Sequence, residues 1–207
     1  GMQDISFLKD AHRGRNIYVV GGGKSLDYYP KDFFKNKIVL AVNQASRIVP
    51  ATYIVRKEFS GSGDIPVIAS KHVAGCIDGG LNQADYIFEH RHNTCSTIDV
   101  QGCHPLGNKI IVSWSTITSA IHLAAFMGAS TIFMAGHDCA SLDGEQTAKG
   151  YYDGVARFTA PQDYDNWLAA IPPQTAFVRD YIMESYQVPL ITLSPFIGLK
   201  HEGHEIA

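Results

Sequence analysis

Short apolar runs rich in β-branched residues recur along the chain, and they constrain its fold more than any other feature. Three of them are Asn16–Val20, Ile38–Val42 and Thr131–Ala135. Further runs occupy residues 52–55, 66–69 and 189–193. The runs are continuous rather than alternating, which is typical of strands that are covered on both faces. The sequence therefore predicts a mainly parallel sheet.

Three segments between these runs are predicted as crossover helices: a short one at 30–35 and longer ones at 115–127 and 175–186. Residues 90–107 and 141–173 have no assigned element, and the second stretch, which contains a Pro-Pro break at 172–173, is interpreted as a long lid-like loop. We therefore expect a single-domain, α/β, Rossmann-like fold over residues 2–207, with helices on both faces of the sheet. Gly1 before Met2 is interpreted as a cloning scar.

The charge balance, the hydropathy and the cysteine spacing of the chain limit its partners and ligands. The chain has 17 Lys+Arg against 20 Asp+Glu and no basic stripe, so no nucleic-acid polymer is expected as a partner. A small anionic ligand needs only a few donors and stays open. The sequence has no signal peptide and no transmembrane run, which predicts a cytoplasmic protein. The segment 90–104 holds three histidines and two cysteines without Cys-x-x-Cys spacing, so no metal site is predicted there.

A glycine turn follows the first long run. A Walker A loop is excluded because Tyr18 stands where its first glycine is needed, and a dinucleotide fingerprint because Leu26 stands at its third glycine. The sequence still predicts a turn whose N–H groups approach a phosphate, with a serine hydroxyl as an added donor. A tight turn without any ligand is the alternative. The candidate nucleotide-binding residues are Gly21, Gly22, Gly23 and Ser25.

Two further polar segments are predicted to join this turn. Thr118 and Ser119 open an apolar helix, whose N-terminus attracts anions. His137 and Asp138 follow the run Thr131–Ala135, at the carboxyl edge where open parallel sheets bind ligands. Both are candidate catalytic residues.

An amide pair, Asn43 and Gln44, ends the second long run. Neutral amides suit the reading of a base or a ribose by hydrogen bonds. They equally suit a strand end that satisfies its own loop.

Taken together, these motifs resemble the series found in the MptE-like family, named for a 6-hydroxymethylpterin diphosphokinase, and in the small bacterial CMP-sialyltransferases. The resemblance rests on the segments 21–26, 42–45, 118–119 and 136–138, and on the tail 188–195. It implies a Rossmann-like transferase that binds a nucleotide or a nucleotide-sugar.

The resemblance also implies roles for single residues. Gly21, Gly23 and Ser25 match the nucleotide-phosphate turn, Asn43 the asparagine that contacts the nucleotide, Thr118-Ser119 the Thr-Ser turn, and Asp138 the acid of a Gly-x-Asp motif. Tyr151 and Tyr152 match tyrosines that bind the donor phosphate. The sialyltransferases have a histidine as general base shortly before the last helix, whereas residues 167–186 contain none.

Three functions follow from these expectations. The first is glycosyl transfer from a CMP-sugar type of donor, with Asp138 organising the site and His137 accepting a proton. The second is a diphosphokinase that acts on a pterin-like alcohol, which needs Mg²⁺ between phosphate and carboxylate. The third is a nucleotide-binding module without catalysis. The acceptor and the oligomeric state are left open.

Overall fold

The computed structural model describes residues 3–56, 71–75, 85–93, 109–113, 115–151 and 170–193. Within these residues nine strands form one sheet, and every pairing between them is parallel. In chain order the strands are β1 (Gln3–Asp4), β2 (Asn16–Val20), β3 (Ile38–Val42), β4 (Tyr53–Arg56), β5 (Lys71–Gly75), β6 (Tyr86–Asn93), β7 (Lys109–Ser113), β8 (Thr131–Ala135) and β9 (Leu190–Thr192). Helix α1 (Thr116–Phe126) precedes β8, and helix α2 (Ile171–Tyr186) precedes β9. This is the α/β, Rossmann-like fold expected from the sequence.

The chain changes its direction of winding beside β2. Strands β3, β4, β5 and β6 are added in turn on one side of β2, and β8 and β9 lie on the other side. Val20, the last residue of β2, therefore pairs with Ala41 on one side and with Ala135 on the other. Such a change of direction leaves a crevice at the carboxyl ends of two neighbouring strands, and open α/β sheets bind ligands there.

The strand predictions are confirmed where the apolar runs are continuous. β2, β3 and β8 have the predicted bounds, and β4 and β9 differ from the predicted 52–55 and 189–193 by one residue at each end. The predicted strand at 66–69 lies outside the described residues. Strands β1, β5, β6 and β7 were not predicted. β6 reads Tyr-Ile-Phe-Glu-His-Arg-His-Asn, so a search for continuous apolar runs misses it.

Helices α1 and α2 cover one face of the sheet. Every residue of α1 is buried, because the helix is apolar on most of its surface and packs between the sheet and α2. His122 in α1 is fully buried, and its Nε2 lies 3.0 Å from the hydroxyl oxygen of Tyr186 at the end of α2. His122 is thus a core histidine with a hydrogen-bond partner.

The opposite face is covered by shorter segments, among them the 3₁₀ helices Lys24–Tyr28 and Asn43–Arg47. The short helix predicted at 30–35 is wrong: residues 31–36 form turns. Asp32 and Asn36 have φ of 62°, and left-handed residues interrupt a right-handed helix. Helical segments nevertheless lie on both faces of the sheet.

Helix α2 begins earlier than predicted, at Ile171 rather than at residue 175. The prolines at 172 and 173, interpreted as a break, occupy the first turn of the helix instead. A proline is tolerated there because the N–H that it lacks would have no intrahelical acceptor. The helix ends at Tyr186, and the residue that caps it, Gln187, has a left-handed φ of 57°. Among the described residues no helix is both long enough and apolar enough to cross a lipid bilayer.

Candidate functional site

Two segments meet where the sheet changes direction. The glycine turn 21–23 follows β2, and Gly136-His137-Asp138 follows its neighbour β8. The peptide N–H of Gly21 donates to the carbonyl of Ala135 at 2.9 Å, and the N–H of Gly23 donates to the carbonyl of Gly136 at 2.6 Å. These hydrogen bonds continue the pairing of the two strands beyond their ends. The two segments therefore lie side by side at the carboxyl edge of the sheet.

No side chain fits on the turn where it faces the second segment. A Cβ atom added to Gly23 would lie 2.5 Å from the carboxyl carbon of Asp138 and 2.6 Å from the carbonyl oxygen of Gly136. A Cβ on Gly21 would lie 2.8 Å from the same carbonyl oxygen. Gly136 itself has φ of +68°, which favours glycine. Close packing between the two segments thus accounts for these glycines without any ligand.

We expect Gly23→Ala to lower the free energy of unfolding by about 3 kcal/mol, at the upper end of overpacking costs. Its φ of −67° is ordinary, so the loss comes from the clash alone. Gly144→Ala is the matched control, because Gly144 has φ of +77° and nothing within 4 Å of an added Cβ. That control should lose about 1 kcal/mol from backbone strain. Urea unfolding measures both, and a Gly23→Ala protein as stable as Gly144→Ala would contradict the packing.

Asp138 joins the two segments through Ser25. Its carboxylate accepts the peptide N–H of Ser25 at 2.8 Å and the Ser25 hydroxyl at 2.5 Å, and the side chain is 2% exposed. Hydrogen bonds to a carboxylate are charge-assisted and stronger than neutral ones. Burial, together with the charge of Asp138, raises the pKa of Tyr29 above its usual value. The acid therefore places a negative charge, held in a fixed position, under the glycine turn.

These hydrogen bonds define what the turn can offer a phosphate. The N–H groups of Gly21, Gly23 and Ser25 are all used inside the protein. Gly22 is the residue of the turn whose N–H has no acceptor among the described residues, while its carbonyl accepts the N–H of Ala148 at 2.8 Å. A phosphate would therefore contact the turn mainly at Gly22.

His137 points from the same edge towards α2. Its Nε2 lies 2.9 Å from the hydroxyl oxygen of Thr175, and the sulfur of Cys139 lies 3.5 Å from the same nitrogen. Burial lowers the pKa of His137 to about 4. The imidazole is therefore neutral near pH 7, which is the protonation state that a proton acceptor requires.

The N-terminus of α1 lies against the glycine turn. The Cδ1 atom of Ile117 would be 3.2 Å from a Cβ on Gly21. Thr118 and Ser119 are fully buried in the first turn of α1, and the Thr118 hydroxyl donates back to the carbonyl of Ser115 at 2.8 Å. Ser115, the N-cap residue, is also buried, and its hydroxyl has no hydrogen-bond partner within the described part of the chain. A buried hydroxyl without a partner is costly, which makes it suited to a ligand.

The other predicted site residues have different surroundings. Asn43 and Gln44 follow β3, at the same edge as the turn, and Asn43 has a left-handed φ of 52°. The ring of Tyr151 covers Gly22, since a Cβ there would lie 2.2 Å from the ring. Tyr151 is 8% exposed, so it walls the turn rather than reaching into solvent. Tyr152 lies outside the described residues.

Sequence reasoning missed one charged residue at this edge. Arg56 ends β4 and is 2% exposed, and an arginine buried to this extent is normally paired. A guanidinium binds carboxylates and phosphates through two parallel hydrogen bonds. The sequence did contain a sign of this, because Arg56 directly follows the predicted strand 52–55, and the carboxyl ends of the strands were expected to face the ligand.

The described residues contain no group of three or more His, Cys, Asp or Glu side chains arranged to hold a metal ion. No family model matches the chain, and no curated protein is significantly similar to it. The resemblance to the MptE-like proteins and the CMP-sialyltransferases therefore stays a prediction that rests on short motifs.

Proposed function

We propose that the chain is a nucleotide-dependent transferase that transfers a glycosyl group from a CMP-sugar type of donor. One observation carries the proposal: the glycine turn and the Gly136–Asp138 segment meet at the point where a parallel sheet changes direction. In sheets of this kind that crevice is the preferred ligand site. The MptE-like and sialyltransferase-like motifs lie on the same edge, which supports a nucleotide as the ligand.

The donor phosphate is assigned to the space between the turn and α1. Gly22 offers its N–H, and Ser115 offers a buried hydroxyl that has no partner among the described residues. Ser115 is the N-cap of a helix of 11 residues, whose dipole favours negative charge, and Ile117 in the first turn of that helix packs against Gly21 of the glycine turn. Asn43 and Gln44, at the end of the neighbouring strand, are assigned to the nucleoside.

Asp138 and His137 are assigned to the chemical step. Transfer from a nucleotide-sugar breaks the bond between sugar and phosphate and needs a base for the acceptor hydroxyl. The imidazole of His137 is assigned to that proton because it is neutral near pH 7, although a pKa of about 4 makes it a weak base. The buried charge of Asp138, fixed by Ser25, favours positive charge that develops on the sugar.

A thermal-shift screen tests the proposal with CMP, UDP, GDP, ADP and ATP, each with and without Mg²⁺. A nucleotide at 100 times its Kd stabilises a protein by about 2.7 kcal/mol. For a chain of this size that raises Tm by about 5 to 10 °C. We expect CMP to give the largest shift without Mg²⁺. A shift by ATP only with Mg²⁺ would favour the diphosphokinase, and no shift with any nucleotide would overturn the proposal.

The same screen on two serine variants locates the ligand. Ser115→Ala should reduce the CMP shift without lowering the Tm of the free protein, since the buried hydroxyl has no hydrogen bond to lose within the described residues. Ser130→Ala is the control, because the Ser130 hydroxyl donates to the side-chain oxygen of Asn16 at 3.0 Å, at the amino ends of β2 and β8 and therefore at the opposite edge of the sheet from the site. It should leave the CMP shift intact.

A further inference from the structure

A pocket of about 450 Å³ lies beside the glycine turn, outside the crevice described above. It opens on the face of the sheet opposite α1 and α2, between the 3₁₀ helix Lys24–Tyr28, the turn at 30–35, and residues 48–50 and 148–149. Binding sites for small molecules commonly have volumes of about 300 to 1,000 Å³. The pocket is therefore large enough for a ligand of one or two rings.

Aromatic rings line one side of the pocket and hold one another in place. Tyr29 stacks on Phe34, with ring centroids 5.4 Å apart and an angle of 22° between the ring planes. Phe33 meets Phe34 edge-on at 4.9 Å. A wall built from such rings attracts a flat apolar ligand through burial of apolar area. This lining favours an aromatic ligand over a polar one.

Positive charge gathers around the same pocket, although the whole chain has a net charge of −3. Lys31, Lys35 and Lys149 contribute to its lining, and all three are exposed. Within the described residues none of their ammonium groups forms an ion pair. A carboxylate or phosphate on the ligand would meet these lysines as point charges.

The acidic residues of the pocket offset this charge only in part. Asp27 is engaged elsewhere, since its carboxylate pairs with the Lys24 ammonium at 2.6 Å and accepts the peptide N–H of Lys149 at 3.0 Å. Asp32 is the other carboxylate in the lining. Asp32 is therefore the carboxylate of the lining that is left to offset the charge of the three lysines.

From the rings and the lysines together we infer that this pocket binds a small aromatic anion, such as an aryl carboxylate or an aryl phosphate. The site is separate from the crevice assigned to the nucleotide, so it does not depend on the proposed transfer reaction. Its aromatic wall fixes the plane of the ligand, and the lysines fix the end that carries the charge.

Calorimetric titration with 2-naphthoate and with the neutral 2-naphthylmethanol tests the inference. The anion should bind at least tenfold more tightly than the alcohol. Replacing Lys31, Lys35 and Lys149 together by glutamine should abolish that difference and leave the alcohol unaffected. Lys9→Gln is the matched control, because Lys9 is equally exposed and lies outside the pocket.

Three outcomes would overturn the inference. The first is equal affinity for the anion and the alcohol, and the second is tight naphthoate binding that survives the triple replacement. The third is competitive displacement of naphthoate by CMP, which would mean that naphthoate occupies the nucleotide crevice. The first two outcomes are measured without any nucleotide, so they are independent of the thermal-shift screen.

Discussion

Asp138→Asn is expected to slow the release of free nucleotide from a CMP-sugar by about 100-fold, because removing a group that acts in acid–base or electrostatic catalysis typically costs that much. The fold should survive. Asparagine has nearly the same shape, and its side-chain oxygen can accept the Ser25 N–H. Its amide N–H can donate to the Ser25 hydroxyl, which then acts as an acceptor instead of a donor. Nucleotide release is measured by chromatography, and Tm is measured on the same samples.

Two control variants separate charge from position. Asp143→Asn makes the same chemical change at an exposed residue that bonds to Tyr28, and both rate and Tm should stay at the parent values. Ser25→Ala removes the hydroxyl that braces Asp138 and keeps its charge. If Ser25→Ala loses as much rate as Asp138→Asn, the acid acts by holding the turn. An Asp138→Asn protein with the parent rate and Tm would make Asp138 structural and favour the non-catalytic binding module.

The central part of the sheet could be predicted from the sequence because its strands are covered on both faces. β2, β3 and β8 are continuous apolar runs, and such runs mark buried parallel strands. β6, which contains Glu89, His90 and Arg91, lacks that pattern. The error at α2 has a different cause. A Pro-Pro pair disrupts the interior of a helix but is tolerated in its first turn. The sequence alone does not tell whether such a pair ends one helix or begins the next.

The candidate site could be predicted as a set of segments but not as a network of contacts. Parallel strands bring their carboxyl ends to one edge, so the glycine turn and Asp138 had to be close. The sequence did not indicate that Ser25 uses its N–H and its hydroxyl on Asp138, which leaves Gly22 as the residue of the turn whose N–H has no acceptor among the described residues. It also gave no sign that Tyr151 covers Gly22. Such contacts depend on loop conformations, which apolar patterning does not determine.

Two buried histidines are expected to make the protein lose stability in mild acid. Burial lowers the pKa of His122 to about 3 and that of His137 to about 4. In the unfolded chain both residues titrate near pH 6.5, at the ordinary histidine value. Below that pH the unfolded state binds protons that the folded state does not, so stability falls as pH falls. Each histidine contributes a slope of up to about 1.4 kcal/mol per pH unit.

The window follows from the two pKa values. His137 lowers the stability as pH falls from about 6.5 to its folded pKa of about 4, and His122 continues to do so down to about pH 3. Above pH 7 neither histidine changes the stability. Carboxylates also titrate in this range, so a variant is needed to isolate the histidines. His122→Gln retains a polar partner for the Tyr186 hydroxyl and removes one titrating group. Urea unfolding between pH 7 and pH 4 should show a slope shallower by about 1 kcal/mol per pH unit in this variant. A slope identical to that of the parent would mean that His122 is protonated in the folded protein, which its complete burial against Tyr181 and Tyr186 opposes.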